Sequence, residues 1–324
     1  MTHVADLIIK NGKNSVSFFS DGSKIVGNLY CPGDFDANKQ YPAVVVGGPL
    51  ATVKEQAGGV LAEALAKKGL ITLAFDYRTY GESEGEPRQY ENPVSKTEDI
   101  QNAISFLSAH QNVDSEGIGA LGVCASSSYI ATALTTDRRV KAFGTVSAYF
   151  SLREFCLSNP FVTDEQRNQM FTASNVARQR YYETGVAEPD DMIMPDMTEE
   201  PGEDAPQIAR DVYDYYFVRV AECWPNYSNH FVPFSFEQLV RSHALDYADM
   251  IIVHYLGVVG SEAVTRPYTE RFVEAKTQGP NEIKVIEGAY HVQTYDRPEY
   301  VSQAIDVLNS FFRKILQQSE AMAA

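Results

Sequence analysis

No run of apolar residues approaches the ~20 that a membrane-crossing helix needs. The opening MTHVADLIIKNGKN also lacks the basic stretch and apolar core of a secretory signal. The expectation is a soluble chain that works in the cytoplasm. Cysteine is scarce: Cys31, Cys124, Cys156 and Cys223 show no C-x-x-C spacing, so neither a zinc site nor a disulfide framework is suggested. Positive charge is short too. With 27 Lys and Arg against 43 Asp and Glu, the net charge is −16. Nothing here would neutralise phosphates, so neither a nucleic acid nor an anionic membrane surface is expected as a partner. No metal and no organic cofactor is implied. What remains is 324 residues, 44% hydrophobic and 22% charged, enough for a large core in one large or two smaller domains.

The elements follow a readable order. VSFFS and KIVGNLY flank DGS, the pattern of a β-hairpin. YPAVVVGG and ITLAFD read as buried strands, separated by a helix from about Lys54 to Lys68. SKTEDIQNAISFLSAH reads as an amphipathic helix, with Ser95 as its cap and Glu98 three residues later completing a capping box. GIGALGV, a helix to about Leu134 and VKAFGTVSAY continue the alternation. Such alternation marks a mostly parallel central sheet with helices on both faces. The rhythm breaks over 152–249, where the acidic loop TEEPGEDAP separates helix-like segments. It returns with IIVHYLGVVG, a helix near 268–276, EIKVIEG and a final helix at about 298–316. The expected organisation is an α/β core in two parts, 1–151 and 250–324, with a helical cap inserted at 152–249.

Residues 117–130, GIGALGVCASSSYI, have the outline of a strand–turn–helix nucleophile elbow, G-x-S-x-G. Cys124 stands where the serine belongs, and Ser126 where the second glycine belongs. A thiol becomes a strong nucleophile as thiolate, which calls for a base. His291, in EGAYHVQTY after the last strand, is the candidate; GVVGSEA, after the strand before, offers Glu262 as the acid. Nucleophile, acid, histidine is the chain order of an α/β-hydrolase triad. Glu262 stands first for the acid role, against Asp76 and against no acid, since a cysteine–histidine pair ionises without one. The other five histidines read as surface or core residues.

An oxyanion hole needs two backbone N–H donors. Ala125, directly after the nucleophile, supplies one. Pro49 has no N–H, so Leu50 in GGPLAT is expected to supply the other. Asp76, Arg78 and Gly81 read as loop anchors. In the cap, Tyr213, Tyr216, Phe217 and Val220 recur at helical spacing, with Trp224 on the same trend. That stripe either packs the cap onto the core or lines a substrate pocket. The expectation is that at least one of its aromatics borders the site, because pockets are lined mainly by such side chains.

As a set, GGPLATVKEQ, AFDYRTYGESEGEPRQYENP, EDIQNAISFL, VDSEGIGALGVCASSSY and GAYHVQTYDRPEYV resemble the cysteine-nucleophile branch of the α/β-hydrolase superfamily. More narrowly they are similar to the bacterial YcjY-like proteins and fungal polyketide-transferase relatives, with dienelactone hydrolases more distant. The likeness runs over about residues 15–150 and 250–315 and weakens across the cap. It implies the α/β-hydrolase fold, Cys124 as nucleophile and His291 as base. Two departures stand out: GGPLAT replaces a histidine–proline–glycine run, and VCASS replaces a glycine-rich elbow. The leading expectation is a hydrolase that cleaves an ester, lactone or thioester through a cysteine acyl-enzyme. Its substrate would be a small molecule with an apolar portion. An acyltransferase or lyase in a biosynthetic pathway is the alternative, as is a small-molecule binding protein with an inert thiol. Self-association as a homodimer stays open.

Overall fold

The computed structural model describes residues 7–158, 162–188, 190–191, 200–220, 224 and 226–317. Strands β1 (Gly12–Ser20) and β2 (Ser23–Cys31) form an antiparallel hairpin. Its turn residues Asp21 and Gly22 both have positive φ, the twist that suits a two-residue hairpin loop. Strand β1 alternates exposed and buried positions, as an edge strand with one wet face should.

The chain then alternates: β3 (Tyr41–Gly47), α1 (Ala57–Ala66), β4 (Ile71–Phe75), α2 (Pro93–Ser108), β5 (Val113–Val123), α3 (Ser126–Leu134) and β6 (Val140–Val146). These strands are buried along almost their whole length, because helices cover both faces of the sheet. After β6 comes a helical stretch: α4 (Leu152–Leu157), α5 (Asp164–Thr184) and α6 (Gln207–Tyr213). Two-residue strands β7 (Asp190–Asp191) and β8 (His230–Phe231) pair within it, and α7 (Phe236–Leu239) follows. The core resumes with β9 (His254–Gly260), α8 (Arg266–Ala275), β10 (Asn281–Ile286), α9 (Gln293–Asp296) and α10 (Pro298–Leu316).

The eight-stranded sheet runs β1-β2-β4-β3-β5-β6-β9-β10, parallel throughout except for the β1–β2 and β2–β4 pairings. This is the α/β-hydrolase fold. Strand β3 has β4 on one side and β5 on the other, so the connections leave it in opposite directions. The C-terminal ends of β3 and β5 therefore flank a topological switch point, the place where open α/β sheets bind ligands. The segment between β6 and β9 interrupts two neighbouring strands of this sheet.

Two local expectations are corrected. Helix α2 starts at Pro93, two residues before Ser95. Its N-cap is Asn92, whose side chain accepts the Val94 N–H at 3.0 Å, with Pro93 in the first turn. Proline's fixed φ and missing N–H suit that position, and it outcompetes the Ser95–Glu98 box. Second, α6 does not carry a simple helical stripe. From Asp214 to Arg219 the backbone winds as a π-helix, which advances the face by an extra residue. Tyr215 and Tyr216 are therefore buried, while Tyr213 and Phe217 stack on each other at 5.5 Å farther out. Trp224 is partly buried against the core; Cys223 lies outside the described residues. Among the described residues no helix is long and apolar enough to cross a membrane.

Candidate active site

Strand β5 delivers Cys124 into a tight turn before α3. Cys124 has φ +54°, a left-handed conformation that costs a non-glycine residue of order 1–3 kcal/mol and persists only when the surroundings enforce it. Its N–H donates to Val146 O at 3.1 Å, and its carbonyl accepts from Ser127 N at 3.1 Å and Tyr149 N at 3.0 Å. The turn closes only over glycine at 122: a Cβ there would come within 2.6 Å of Ser127 Cα. Ser126, the departure from the usual small residue, is absorbed by polar partners. Its hydroxyl donates to the Gly48 carbonyl and meets the Tyr77 hydroxyl at 2.8 Å.

The backbone N–H groups of Ala125 and Leu50 both act on Cys124 Sγ in the sense that favours a thiolate. Ala125 lies at the start of α3, whose positive end adds to the pull on negative charge. Leu50 lies in the loop after β3, and two buried carboxylates hold that loop. Glu91 Oε2 accepts the Ala51 N–H at 3.2 Å, and Asp76 Oδ1 accepts the Lys54 N–H at 2.7 Å.

His291 sits in the turn between β10 and α9 and is buried. Its Nδ1 is 2.9 Å from Thr265 Oγ1, and its Nε2 is 2.7 Å from the Tyr295 hydroxyl. That hydroxyl also acts on Cys124 Sγ, where it favours the thiolate. Thiol and imidazole are thus linked through one phenol. Burial pushes the Cys124 thiol up to about 11, although the Tyr295 hydroxyl and the two N–H groups pull the other way. Burial also pushes His291 down to about 3. A hydroxyl at Nδ1 brings no negative charge to hold an imidazolium, unlike the carboxylate of a serine-protease triad. The resting pair is therefore a neutral thiol and a neutral imidazole.

No family model matches the chain. The uncharacterized protein YcjY of Escherichia coli (strain K12) is 33% identical over 315 residues, which is 94% of this chain and 99% of YcjY. The chain belongs to the YcjY family of the α/β-hydrolase superfamily. The crystal structure of PA2218 from Pseudomonas aeruginosa is similar with a TM-score of 0.83 at 29% identity, covering 97% of each chain. A shorter stretch of 121 residues is 40% identical to the thiohydrolase aneE of Aspergillus aculeatus, 37% of this chain and 36% of aneE.

In this YcjY-family chain the expected residues fall into two groups. Cys124, Ala125, Leu50 and His291 converge on one point. Glu262 does not join them: it is exposed, and its side chain accepts from the Ser261 hydroxyl at 3.1 Å. The chain leaving β9 turns Glu262 outward and brings Thr265, at the start of α8, to Nδ1 instead. Asp76 is engaged with Lys54 and the Glu82 N–H. Tyr216 is buried within electrostatic range of Cys124: burial first, then a thiolate there, would raise its phenol well above the ordinary value. Tyr213, Phe217 and Trp224 are only partly buried. Sequence reading passed over Thr265, Tyr149, Tyr215 and Tyr295. Tyr149 presents its ring to His291 at 5.6 Å. For Tyr295 a signal was available, since four residues after His291 is the spacing that puts two side chains on one helical face.

Proposed function

We propose that this chain is a hydrolase that cleaves an acyl bond, a thioester or an activated ester or lactone, through a Cys124 acyl-enzyme. The reading rests on one observation above others: Cys124, on a strained elbow, has its thiolate favoured by two backbone N–H groups and by the Tyr295 hydroxyl, which itself lies 2.7 Å from a buried histidine. In the reaction, Sγ attacks the acyl carbon while its proton is drawn toward His291. The oxyanion that forms takes over the Ala125 and Leu50 N–H donors, each donor of this kind being worth roughly 10²–10³ in rate. The proton then goes to the departing thiol or alcohol. Water, deprotonated by His291, cleaves the acyl-enzyme and restores the thiol. Because both groups are neutral at rest, deprotonation accompanies attack rather than preceding it. The tyrosines around the Cys124–His291 pair, Tyr149 and Tyr216, suit a substrate with an apolar acyl or ring portion. The name thiohydrolase carried by aneE favours thioesters within this class.

A second reading shares the first half of the reaction. Cys124 is 8% and His291 4% exposed, so bulk water has little access, and such a site suits transfer of the acyl group to another acceptor. Intact-mass spectrometry after mixing with a simple acyl thioester tests both. The expected result is an acyl adduct on Cys124 that is lost in Cys124→Ala, with turnover falling at least ~10³-fold. Faster decay of the adduct with added alcohol or thiol selects transfer over hydrolysis. Undiminished turnover in Cys124→Ala would end the covalent reading.

A further inference from the structure

We propose that Tyr295 is a catalytic residue whose hydroxyl relays the proton between Cys124 Sγ and His291 Nε2. The proposal deepens the acyl-enzyme reading and rests on it for its role in turnover. The hydroxyl lies 2.7 Å from Nε2 on one side, and on the other it is close enough to Sγ to favour its thiolate. A phenol has one proton and two lone pairs, so one site cannot donate to both neighbours at once. If Nδ1 carries the imidazole proton and donates to Thr265 Oγ1, then Nε2 accepts from Tyr295 and Tyr295 accepts from the thiol. That direction is the one that drains a proton from sulfur.

The step balances without any further reagent. The S–H bond breaks as a new O–H bond forms on Tyr295. The original O–H bond of Tyr295 breaks as N–H forms on Nε2. The electron pair left on sulfur makes the C–S bond, and the phenol is whole again at the end. Run backwards, when water cleaves the acyl-enzyme, the same chain returns the proton to the departing Cys124 sulfur. Burial raises the Tyr295 phenol well above its ordinary value, so it passes protons as a neutral hydroxyl and does not rest as phenolate.

Its position is held from several sides, as a relay requires. The Tyr215 ring meets it edge-on at 5.3 Å, and the His291 ring lies at 5.5 Å. The next two residues are tied to the π-helical turn: Asp296 pairs with Arg219, and Arg297 with Asp214 at 3.0 Å. The segment between β6 and β9 thereby locates the proton path of the core.

The test needs no natural substrate. The rate of Cys124 alkylation by iodoacetamide is measured in the intact chain, in Tyr295→Phe, in His291→Ala and in the double variant. A relay requires that breaking either link equal breaking both. Each single variant should slow alkylation about 10²-fold or more, and the double variant should be no slower than either. Additive losses, or a Tyr295→Phe rate equal to that of the unaltered chain, overturn the relay. Should Tyr295→Phe fail to fold, the unaltered chain still decides: its rate against the deuterium fraction of the solvent should bow, the mark of two protons in flight, and a straight line overturns the proposal. The two readings fail separately. Non-additive alkylation with no acyl adduct from a thioester keeps the relay and removes the acyl-enzyme. An adduct formed as fast in Tyr295→Phe as in the unaltered chain keeps the acyl-enzyme and removes the relay.

Discussion

Two buried carboxylates grip the loop after β3, one at each end, and their company differs. Asp76 takes the Lys54 N–H at 2.7 Å, and Glu91 takes the Ala51 N–H at 3.2 Å. Each is also paired with a lysine, Lys54 Nζ at 2.8 Å and Lys96 Nζ at 2.5 Å. Lys54 is shared with Glu55 at 3.0 Å and with half-exposed Glu82 at 2.6 Å. Burial works against its charge, yet these carboxylates hold its pKa above the ordinary value. Lys96 instead lies under the rings of Tyr77, Tyr80 and Tyr129, at 4.7, 4.5 and 5.6 Å. Burial pulls its pKa down in spite of Glu91. One clamp has spare anions and an opening to water; the other is sealed with a single ion pair. The loop that aims the Leu50 N–H is thus secured redundantly at one end and by one carboxylate at the other.

Breaking the sealed clamp should cost most. Glu91→Leu leaves Lys96 buried without its anion, a change worth about 3–5 kcal/mol, read from the midpoint of urea unfolding. Glu91→Leu combined with Lys96→Met should recover most of that stability. Its kcat should stay low at unchanged KM, since Ala51 has still lost its acceptor and Leu50 its aim. Full recovery of kcat would show that the pair serves stability alone.

His291 extends the comparison to a buried base with no carboxylate at all. Its pKa is about 3 in the folded chain and near 6.5 when unfolded. Below pH 6.5 the unfolded state takes up a proton that the folded state refuses, so stability falls with pH until the folded pKa is reached. Between pH 6.5 and 4.5 this contributes a loss of roughly 2–3 kcal/mol. His291→Asn should flatten that limb of the stability profile; an unchanged slope places the titration elsewhere.

Asp76→Asn should cost less, about 1.5–3 kcal/mol, because the amide keeps neutral hydrogen bonds in place of the charge-assisted ones. Lys54 keeps Glu55 and Glu82, and kcat should hold within a few-fold. Equal damage from Asp76→Asn and Glu91→Leu would erase the contrast between the clamps. Glu262→Gln, at an exposed carboxylate bonded to its neighbour Ser261, should leave stability and kcat unchanged. A large fall in kcat would return Glu262 to the acid role.

What the sequence disclosed follows the range of the interactions involved. The buried strands, the elbow at Cys124 and the span of α10 depend on local pattern, and each was legible. Leu50 was named as a donor by elimination, because Pro49 lacks an N–H, and its N–H acts on Cys124. Thr265 was hidden since the turn after β9 decides which of several polar residues faces His291, and only the packed fold sets that turn. The π-helical turn was hidden for a similar reason. Its partners, Tyr295, Asp296 and Arg297, lie some eighty residues further along the chain, so the spacing of Tyr213, Tyr216 and Phe217 pointed to an ordinary helix. The cap of α2 offered two local answers, Asn92 and Ser95, and Pro93 decided between them.

The first N–H of α1 has a borrowed partner. Gln56, the N-cap, makes no side-chain cap bond, and the Ala57 N–H donates instead to the Tyr215 hydroxyl at 3.2 Å. A core helix thus begins on a side chain supplied from the segment between β6 and β9. That segment cannot be exchanged between relatives as a free-standing module. A graft lacking a hydroxyl at this point would expose the first turn of α1 to fraying, and hydrogen exchange would register the loss there, in the core, far along the chain from the graft itself.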